Sequence, residues 1–319
     1  MRWHFCVAVS DDVGIGHLVR CRSLEGQVPF EAAHYWIWTN WSAAQLGHFV
    51  DEMNFTQLAE DAQQLPEIPK ITGVLIDMPS PPDALLAQLT GVRRRVLLGC
   101  SDARLGWADV AVNVAEGGSL FPQIRRDPEN GTLIYEGAGF APLRPEFLNG
   151  RLSSYDPEGP ILVVMGGTDA GRLTLPIVQV LISTSNRGSR RVIAICSDRH
   201  IDRPALLKLE GEAFQLLAPT PQIAPLLEQA SVAVLAPGNL LFEALALRTP
   251  AIAVAQNNRQ RSGFQSYPWL IGDFAPRALN AMLSLLLTKA GMGEWQAYAV
   301  SAQSGKTINY LLDWFKKNS

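Results

Sequence analysis

The chain has 319 residues, 47% of them hydrophobic and 18% charged, which is long enough for two domains and typical of a soluble globular protein. A formal net charge of -3 provides no basic field, which argues against nucleic acid or an anionic membrane surface as a partner. We expect a cytoplasmic protein, monomeric or weakly dimeric, with no membrane insertion, metal or cofactor. The four cysteines show no metal-ligand spacing, and we expect buried thiols at Cys6, Cys21, Cys100 and Cys196.

The first clear signal is a strand-to-helix turn near the start of the chain. The apolar run 5–9 predicts a buried parallel strand and 18–24 an amphipathic helix, so Gly14 and Gly16 lie between them. Such a turn lets a ligand approach the backbone and offers amides to an anion. His17 falls in the first helical turn, where the helix dipole favours a neutral ring that can accept a proton.

This turn has two other interpretations, of which one is rejected and one stays open. A dinucleotide-binding fingerprint needs a third glycine where Val19 stands, and an acid after the next strand, where Thr39 and Asn40 stand. We reject that interpretation. A histidine that only caps its own helix stays open as the structural alternative.

Strands alternate with helical segments through the N-terminal half, which predicts a doubly wound parallel sheet. The predicted strands cover 34–39, 73–77, 95–98 and 110–114, and a helix capped by Ser42 extends to 53. The third strand ends in Asp77. A carboxylate there either points into a ligand crevice or caps the next helix, and both roles stay open.

A second α/β half follows the polar segment 149–160, which we interpret as a linker. We therefore predict domains over 1–152 and 153–275, with C-terminal helices over 276–319. The second half opens with a strand over 160–165, a turn, and a helix over 173–181. The amides of that turn suit a pyrophosphate, and its residues are Gly166, Gly167, Thr168 and Asp169. Further strands are predicted over 191–196, 214–217, 232–235 and 251–254.

A second glycine turn opens a predicted helix over 240–247. Gly238 and Asn239 form the turn, and Glu243 is the one acid in an otherwise apolar helix. Glu243 either stabilises the helix dipole or holds ribose hydroxyls. In the tail, helices are predicted over 278–287 and 308–315, and the sequence at 304–307 imitates a P-loop without its first glycine.

Taken together, these blocks resemble the nucleotide-sugar hydrolases of pseudaminic acid biosynthesis (PseG) and the spore-coat polysaccharide proteins (SpsG). The resemblance is more distant to the GT-B glycosyltransferase that adds N-acetylglucosamine to the peptidoglycan lipid precursor. It covers residues 1 to about 260 in family order. The matching residues are 14–17 with Arg20, 139–147, 165–169, Glu243 with Ala244, and Asn257.

This resemblance implies a GT-B fold of two Rossmann-like domains facing a cleft. The C-terminal domain would hold UDP, with glycines 166 and 167 facing the diphosphate and Glu243 holding the ribose. His17 would be the general base, and Asn257 would act beside it in the sugar pocket. The remaining expected binding residues are Gly14, Gly16, Arg20, Asp77, Thr168, Asp169, Gly238, Asn239 and Asn258.

The resemblance also implies a reaction, namely metal-independent hydrolysis of a UDP-linked sugar in surface glycan biosynthesis. The chain departs from the family at Ala8, where an acid is usual, and at Met78 and Pro79, where a histidine and a tyrosine or a similar pair is usual. Asn239 replaces a small hydroxyl residue. Two alternatives therefore stay open, a GT-B glycosyltransferase with a UDP-sugar donor and a catalytically silent binder of sugar nucleotides.

Overall fold

The computed structural model describes residues 2–25, 27, 32–67, 71–99, 102–114, 121–150, 155–302, 314 and 317. They form two compact units, one of the described residues up to Arg144 together with 314 and 317, and one of the residues from Pro145 to 302. The boundaries that the sequence suggested, after 152 and 275, stay a prediction. In the described part of the chain, no helix is both long enough and apolar enough to cross a membrane.

The N-terminal unit is built on an eight-stranded sheet. Its strands are β1 (Arg2–Val9), β2 (Ala32–Thr39), β3 (Phe55–Leu58), β4 (Gly73–Asp77), β5 (Arg94–Leu98), β6 (Val110–Asn113), β7 (Gln123–Arg126) and β8 (Leu133–Glu136). The spatial order is β3-β2-β1-β4-β5-β6-β8-β7, and only the β7–β8 pair is antiparallel. The helices are α1 (Gly16–Glu25), α2 (Ala43–Leu46) and α3 (Asp83–Gln88).

Two strands of this sheet are completely buried, and the core packs around them. Every residue of β4 and β6 is buried, as expected for strands covered on both faces. One core cluster joins Trp36, Trp38 and Met78, with Ala8 packed against it. The carboxyl ends of β1 and β4 are neighbours in this arrangement, because Val7 pairs with Asp77.

The C-terminal unit contains a six-stranded parallel sheet. Its strands are β9 (Ile161–Val164), β10 (Val192–Ile195), β11 (Phe214–Leu217), β12 (Val232–Leu235), β13 (Ala251–Val254) and β14 (Leu270–Ile271). The spatial order, β11-β10-β9-β12-β13-β14, has the connectivity of a doubly wound fold. Helices α4 (Thr174–Ser183), α5 (Arg203–Leu207), α6 (Ile223–Gln229), α7 (Asn239–Leu247) and α8 (Asn258–Gly263) connect the strands, and α9 (Pro276–Leu286) and α10 (Lys289–Ala302) follow.

A buried aromatic cluster attaches α10 to this sheet. Nε1 of Trp295 donates to the hydroxyl of Tyr267 at 2.9 Å, and that hydroxyl donates to the carbonyl of Ala251 at 2.6 Å. Because both aromatic polar groups are satisfied, the cluster can be fully buried.

The predicted strands and the helices that connect them in the C-terminal half are confirmed, with small shifts of their ends. The predicted helix from 42 to 53 is too long, because Gly47 ends α2 at φ 53° and a 3₁₀ turn follows over Gly47–Val50. The sequence analysis did not predict β3, β7, β8, β14, α8 or α10. Cys6, Cys21 and Cys196 are buried thiols, as predicted. Cys100, the 304–307 segment and most of the predicted helix 308–315 lie outside the described residues.

His4 is a buried histidine near the N-terminal end of β1. It pairs in register with His34, and the ring centroids lie 5.2 Å apart. Nδ1 of His4 accepts a hydrogen bond from Nε1 of Trp36 at 2.6 Å. Burial, together with the charge of a protonated His34, lowers the pKa of His4 to about 4.

We expect His4 to make the protein sensitive to acid. A histidine whose pKa is lower in the folded state stabilises the fold above its ordinary pKa of 6.5, and that stability is lost as the pH falls toward 4. His4→Gln keeps an acceptor for Trp36 but does not titrate. Denaturant titrations should therefore show a smaller loss of unfolding free energy between pH 6.5 and 4 in the variant. Identical pH profiles would contradict the expectation, and measurements at pH 8 control for general destabilisation.

Candidate functional site

The β1–α1 turn presents the first turn of a helix at the carboxyl edge of the N-terminal sheet. The amide of Gly14 donates to the carbonyl of Ser10 at 2.7 Å, and Gly14 has a φ of 76°, where glycine is favoured. Helix α1 then begins at the exposed Gly16, so His17 is its second residue, as predicted. A Cβ on Gly16 would contact nothing within 4 Å.

A buried carboxylate lies directly beneath this helix start. Asp77, the last residue of β4, is fully buried, and its Oδ1 lies 2.5 Å from Nδ1 of His17. Arg20, one turn further along α1, donates from Nε to Oδ2 at 2.9 Å and from Nη2 to Oδ1 at 2.5 Å. The sequence analysis expected these three residues near a ligand, and the structure brings them together in one cluster.

The charges in this cluster assign the tautomer of His17. Burial alone would raise the pKa of Asp77, but the positive charge of Arg20 and the hydrogen bonds from Arg20 and His17 lower it, so the pKa lies below its ordinary value. Asp77 is thus an acceptor only, and Nδ1 of His17 carries the proton donated to it. Nη2 of Arg20 also lies within hydrogen-bond distance of Nδ1, at 2.9 Å, but the shorter 2.5 Å contact of Nδ1 with an ionised oxygen requires a proton between those two atoms. The lone pair of the imidazole is therefore on Nε2.

This geometry decides between the two roles considered for Asp77. The next helix, α3, has Pro82 as its N-cap, so Asp77 does not cap it. The carboxylate is buried and bound by two side chains of α1, so it orients His17 and Arg20. Asp77 is thus a positioning residue for the imidazole. The positions that depart from the family, Ala8 and Met78, belong to the apolar core.

In the C-terminal unit, the predicted pyrophosphate turn is a strained loop between β9 and α4. Gly166 has a φ of 78°, while Asp169 and Arg172 have values of 45° and 53°. A residue with a side chain in this region costs about 1 kcal/mol relative to an ordinary conformation. Gly166 and Gly167 are exposed, so their backbone can meet a ligand, and Thr168 is half-buried.

Asp169 is buried and stabilises the loop from within. Its Oδ1 accepts the amide of Leu173 and its Oδ2 the amide of Thr174, each at 2.9 Å. Nε2 of His200 lies 3.0 Å from the same Oδ2. Asp169 therefore supplies the negative charge that is favourable at the start of α4. Both carboxylate oxygens accept hydrogen bonds within the loop, and the expected contact of Asp169 with substrate stays a prediction.

The start of α7 is arranged differently. Gly238 is its N-cap, and no side chain in the described part of the chain caps this end. A Cβ on Gly238 would contact nothing within 4 Å. Glu243 is the fifth helical residue, just beyond the first turn, and both of its expected roles stay predictions. The Glu243 side chain is buried, and its Oε1 accepts from Nδ2 of Asn239 at 3.3 Å.

At the end of β13, Asn257 has a clear structural role. Its Oδ1 accepts the amide of Gln260 at 2.9 Å, which makes it the N-cap of α8, and Asn258 is the first helical residue. Both asparagines are exposed, so each can also meet a ligand. The preceding residue, Gln256, contacts the β9–α4 loop directly. The sequence analysis assigned it no role, although a polar residue at the carboxyl end of a parallel strand is a signal for one.

The two units thus offer different chemistry. The N-terminal unit supplies an imidazole with a fixed tautomer, which can accept a proton at Nε2. The C-terminal unit supplies backbone amides in a glycine loop and at the start of α7, which suit an anion. Among the described residues, no group of three or more His, Cys, Asp or Glu side chains is placed to hold a metal ion.

Comparison with known proteins identifies the fold. No protein-family model matches the chain. The uncharacterized protein MJ1062 of Methanocaldococcus jannaschii is 27% identical over 169 residues, which is 50% of this chain and 35% of that protein. The chain thus spans about a third of this relative's length.

Two solved structures cover almost the whole chain. A UDP-glucosyltransferase from Polygonum tinctorium has a TM-score of 0.60 and 13% identity, covering 100% of this chain and 99% of its own. UDP-GlcNAc 2-epimerase from Neisseria meningitidis, bound to UDP-GlcNAc, has a TM-score of 0.64 and 9% identity, covering 99% of this chain and 100% of its own. At these identities the likeness shows the fold alone. The protein has the GT-B fold, with two Rossmann-like domains.

Proposed function

We propose that this protein is an enzyme acting on a nucleotide-activated sugar, most simply a UDP-sugar, and that it transfers the sugar to an acceptor hydroxyl. The observation that carries the proposal is the His17–Asp77 pair, which fixes a proton acceptor at the start of α1. The solved structures with this fold support the nucleotide, since their names include a UDP-glucosyltransferase and an epimerase bound to UDP-GlcNAc.

In the proposed reaction, the acceptor oxygen attacks the anomeric carbon while Nε2 of His17 takes the hydroxyl proton. The bond from the anomeric carbon to the phosphate oxygen breaks, and its electron pair leaves with UDP. Asp77 stabilises the imidazolium that forms. We assign UDP to the C-terminal unit, where Gly166, Gly167 and the start of α7 would bind the diphosphate through backbone amides.

Hydrolysis is the second candidate, and a specific observation favours it. The sequence blocks around Gly14 to Arg20 and around 165–169 resemble the nucleotide-sugar hydrolases, in which water takes the place of the acceptor. Met78 and Pro79 count against hydrolysis, because they stand where the hydrolases have a histidine and a tyrosine or a similar pair, and Met78 lies in the core.

One assay separates these reactions. UDP release is measured over a panel of UDP-sugars, with and without a panel of acceptors that carry free hydroxyls. Release only with acceptor supports transfer, and release in water alone supports hydrolysis. UDP binding without turnover of any panel member would leave a silent binder. The same panel identifies the sugar. We propose a cytoplasmic location and a role in surface glycan or nonulosonic acid synthesis.

The sharpest prediction concerns His17. General base catalysis contributes about 100- to 10,000-fold in rate, so His17→Asn should lower turnover by at least about 100-fold. UDP affinity by calorimetry should stay nearly unchanged, because the proposed nucleotide residues belong to the other unit. The parent should lose activity at acid pH, where Nε2 is protonated, and the variant should lack that limb. His34→Asn is the matched control. Normal turnover in His17→Asn would reduce His17 to a structural role.

Asp77→Asn tests the positioning of the imidazole. Asparagine can face only one of its two former partners correctly, so Arg20 or His17 loses a charged acceptor within the core. Removing one partner of a buried ion pair costs about 3–5 kcal/mol of unfolding free energy. Turnover should fall at least about 10-fold, because the proton is no longer fixed on Nδ1. Nitrogen-15 spectra of the ring should show mixed tautomers in the variant.

The control for Asp77→Asn is Asp83→Asn. Asp83 is also paired with an arginine, Arg104, at 3.6 Å, but its side chain is 92% exposed. Exposed ion pairs contribute little, so this variant should keep its stability and turnover. A normal tautomer and normal turnover in Asp77→Asn would contradict the positioning role.

The proposed ribose contact is tested by Glu243→Ala. If the carboxylate bonds buried ribose hydroxyls, UDP affinity should fall by roughly 1 to 3 kcal/mol. Glu294→Ala, an exposed acid on α10, is the control and should bind UDP normally. Unchanged UDP affinity in a folded Glu243→Ala variant would leave Glu243 as the buried partner of Asn239 only.

A further inference from the structure

A single side chain connects the carboxyl end of β13 to the β9–α4 loop. Nε2 of Gln256 donates to the carbonyl of Met165 at 2.7 Å, and its Oε1 accepts the amide of Gly171 at 2.9 Å. Met165 and Gly171 stand at the two ends of the glycine turn. One amide group therefore fixes the distance between the ends of the segment whose exposed backbone faces solvent at Gly166 and Gly167.

The turn needs such a restraint, because its own conformation is strained. Besides Gly166, it places Asp169 and Arg172 in the left-handed region of backbone space. Strained conformations persist only where the surrounding contacts hold them. Asp169 holds the helical side of the turn through the amides of α4. Gln256 binds the carbonyl of Met165, just before the two exposed glycines, and the amide of Gly171, two residues after Asp169.

The packing around Gln256 leaves it little freedom. A Cβ added to Gly171 would lie 3.1 Å from Cβ of Gln256, so glycine is the residue that lets the two segments come this close. The backbone amide of Gln256 donates to Oε1 of Gln260 at 2.8 Å. Gln260 belongs to the first turn of α8, and Asn257 caps that turn. The backbone of Gln256 is thus hydrogen-bonded to α8, while its side chain is hydrogen-bonded to the loop.

We propose that Gln256 is a positioning residue, which holds the 165–171 loop in the conformation that binds the diphosphate of the nucleotide and couples it to the segment carrying Asn257. This inference rests on the proposed function, since it assigns the anion to that loop. Because the same residue is rigidly attached to α8, the diphosphate and sugar sides of the site keep a fixed spacing. The ligand class is a nucleoside diphosphate, bare or linked to a sugar.

The test compares a ligand with phosphates and one without. Gln256→Met has a similar length but makes neither hydrogen bond. We expect its UDP affinity, measured by calorimetry, to fall at least about 10-fold, while the affinity for uridine, followed by ligand-observed NMR, changes less than about twofold. Gly171→Ala should cause a smaller loss in the same direction, because its methyl group displaces Gln256. Gln63→Met, at an exposed glutamine of the other unit, is the matched control and should bind both ligands normally.

The outcomes separate the two proposals. Failure of the unaltered protein to bind UDP would overturn the proposed function. Normal UDP affinity in a folded Gln256→Met variant would overturn the positioning role alone, and so would equal losses for UDP and uridine. If Gln256→Met does not fold, Gly171→Ala replaces it, since its methyl group displaces the Gln256 side chain without adding a charge. A selective loss of UDP affinity in that variant supports the inference.

Discussion

The N-terminal unit depends on one buried negative charge. Transferring a carboxylate from water into a protein interior costs several kcal/mol, and the charge persists only where it is paired and hydrogen-bonded. Arg20 supplies the positive charge for Asp77 through two hydrogen bonds, so these two charges balance each other. A proton taken up by His17 adds a single positive charge next to a carboxylate. The same arrangement that makes the burial of Asp77 tolerable therefore prepares the imidazole to accept a proton.

In the C-terminal unit, hydrogen bonds rather than ion pairs define the site. Asp169 satisfies the first amides of α4, and Gln256 satisfies one carbonyl and one amide of the strained loop. Both side chains act on the backbone, so they determine where the loop amides point. This is the requirement of an anion site made of main-chain groups, because a small rotation of a peptide plane removes a donor. The start of α7 has Gly238 as its N-cap, so the cap residue places no side chain on the helix amides.

The sequence predicted the elements with a strong local pattern and missed those without one. Apolar runs located the central strands, and the turn at Gly14 placed His17 at a helix start. Strand β7 has four exposed residues and β14 has two residues in total, so neither carries a periodic signal. The Asp77–His17 contact joins residues 60 positions apart and depends on β1 and β4 being neighbours. The Gln256 contact depends on the φ values of a loop 85 positions away, which no local pattern encodes.

Asp77 and Asp169 show how similar positions acquire different roles. Each is a buried carboxylate near the carboxyl end of a central strand, and each lies beside the start of a helix. Asp77 ends its strand, so its oxygens meet the side chains of α1. One of these oxygens is hydrogen-bonded to the His17 ring, which can exchange a proton. Asp169 lies five residues beyond β9 in a left-handed conformation, so its oxygens turn back to the amides of α4. A carboxylate used in this way neutralises the helix start and excludes a second anion from it. A diphosphate would add favourable contacts at the glycines of the loop and at the start of α7, where Gly238 is the N-cap. A helix that begins with a glycine therefore indicates an anion site in this sequence better than one that begins with an acid.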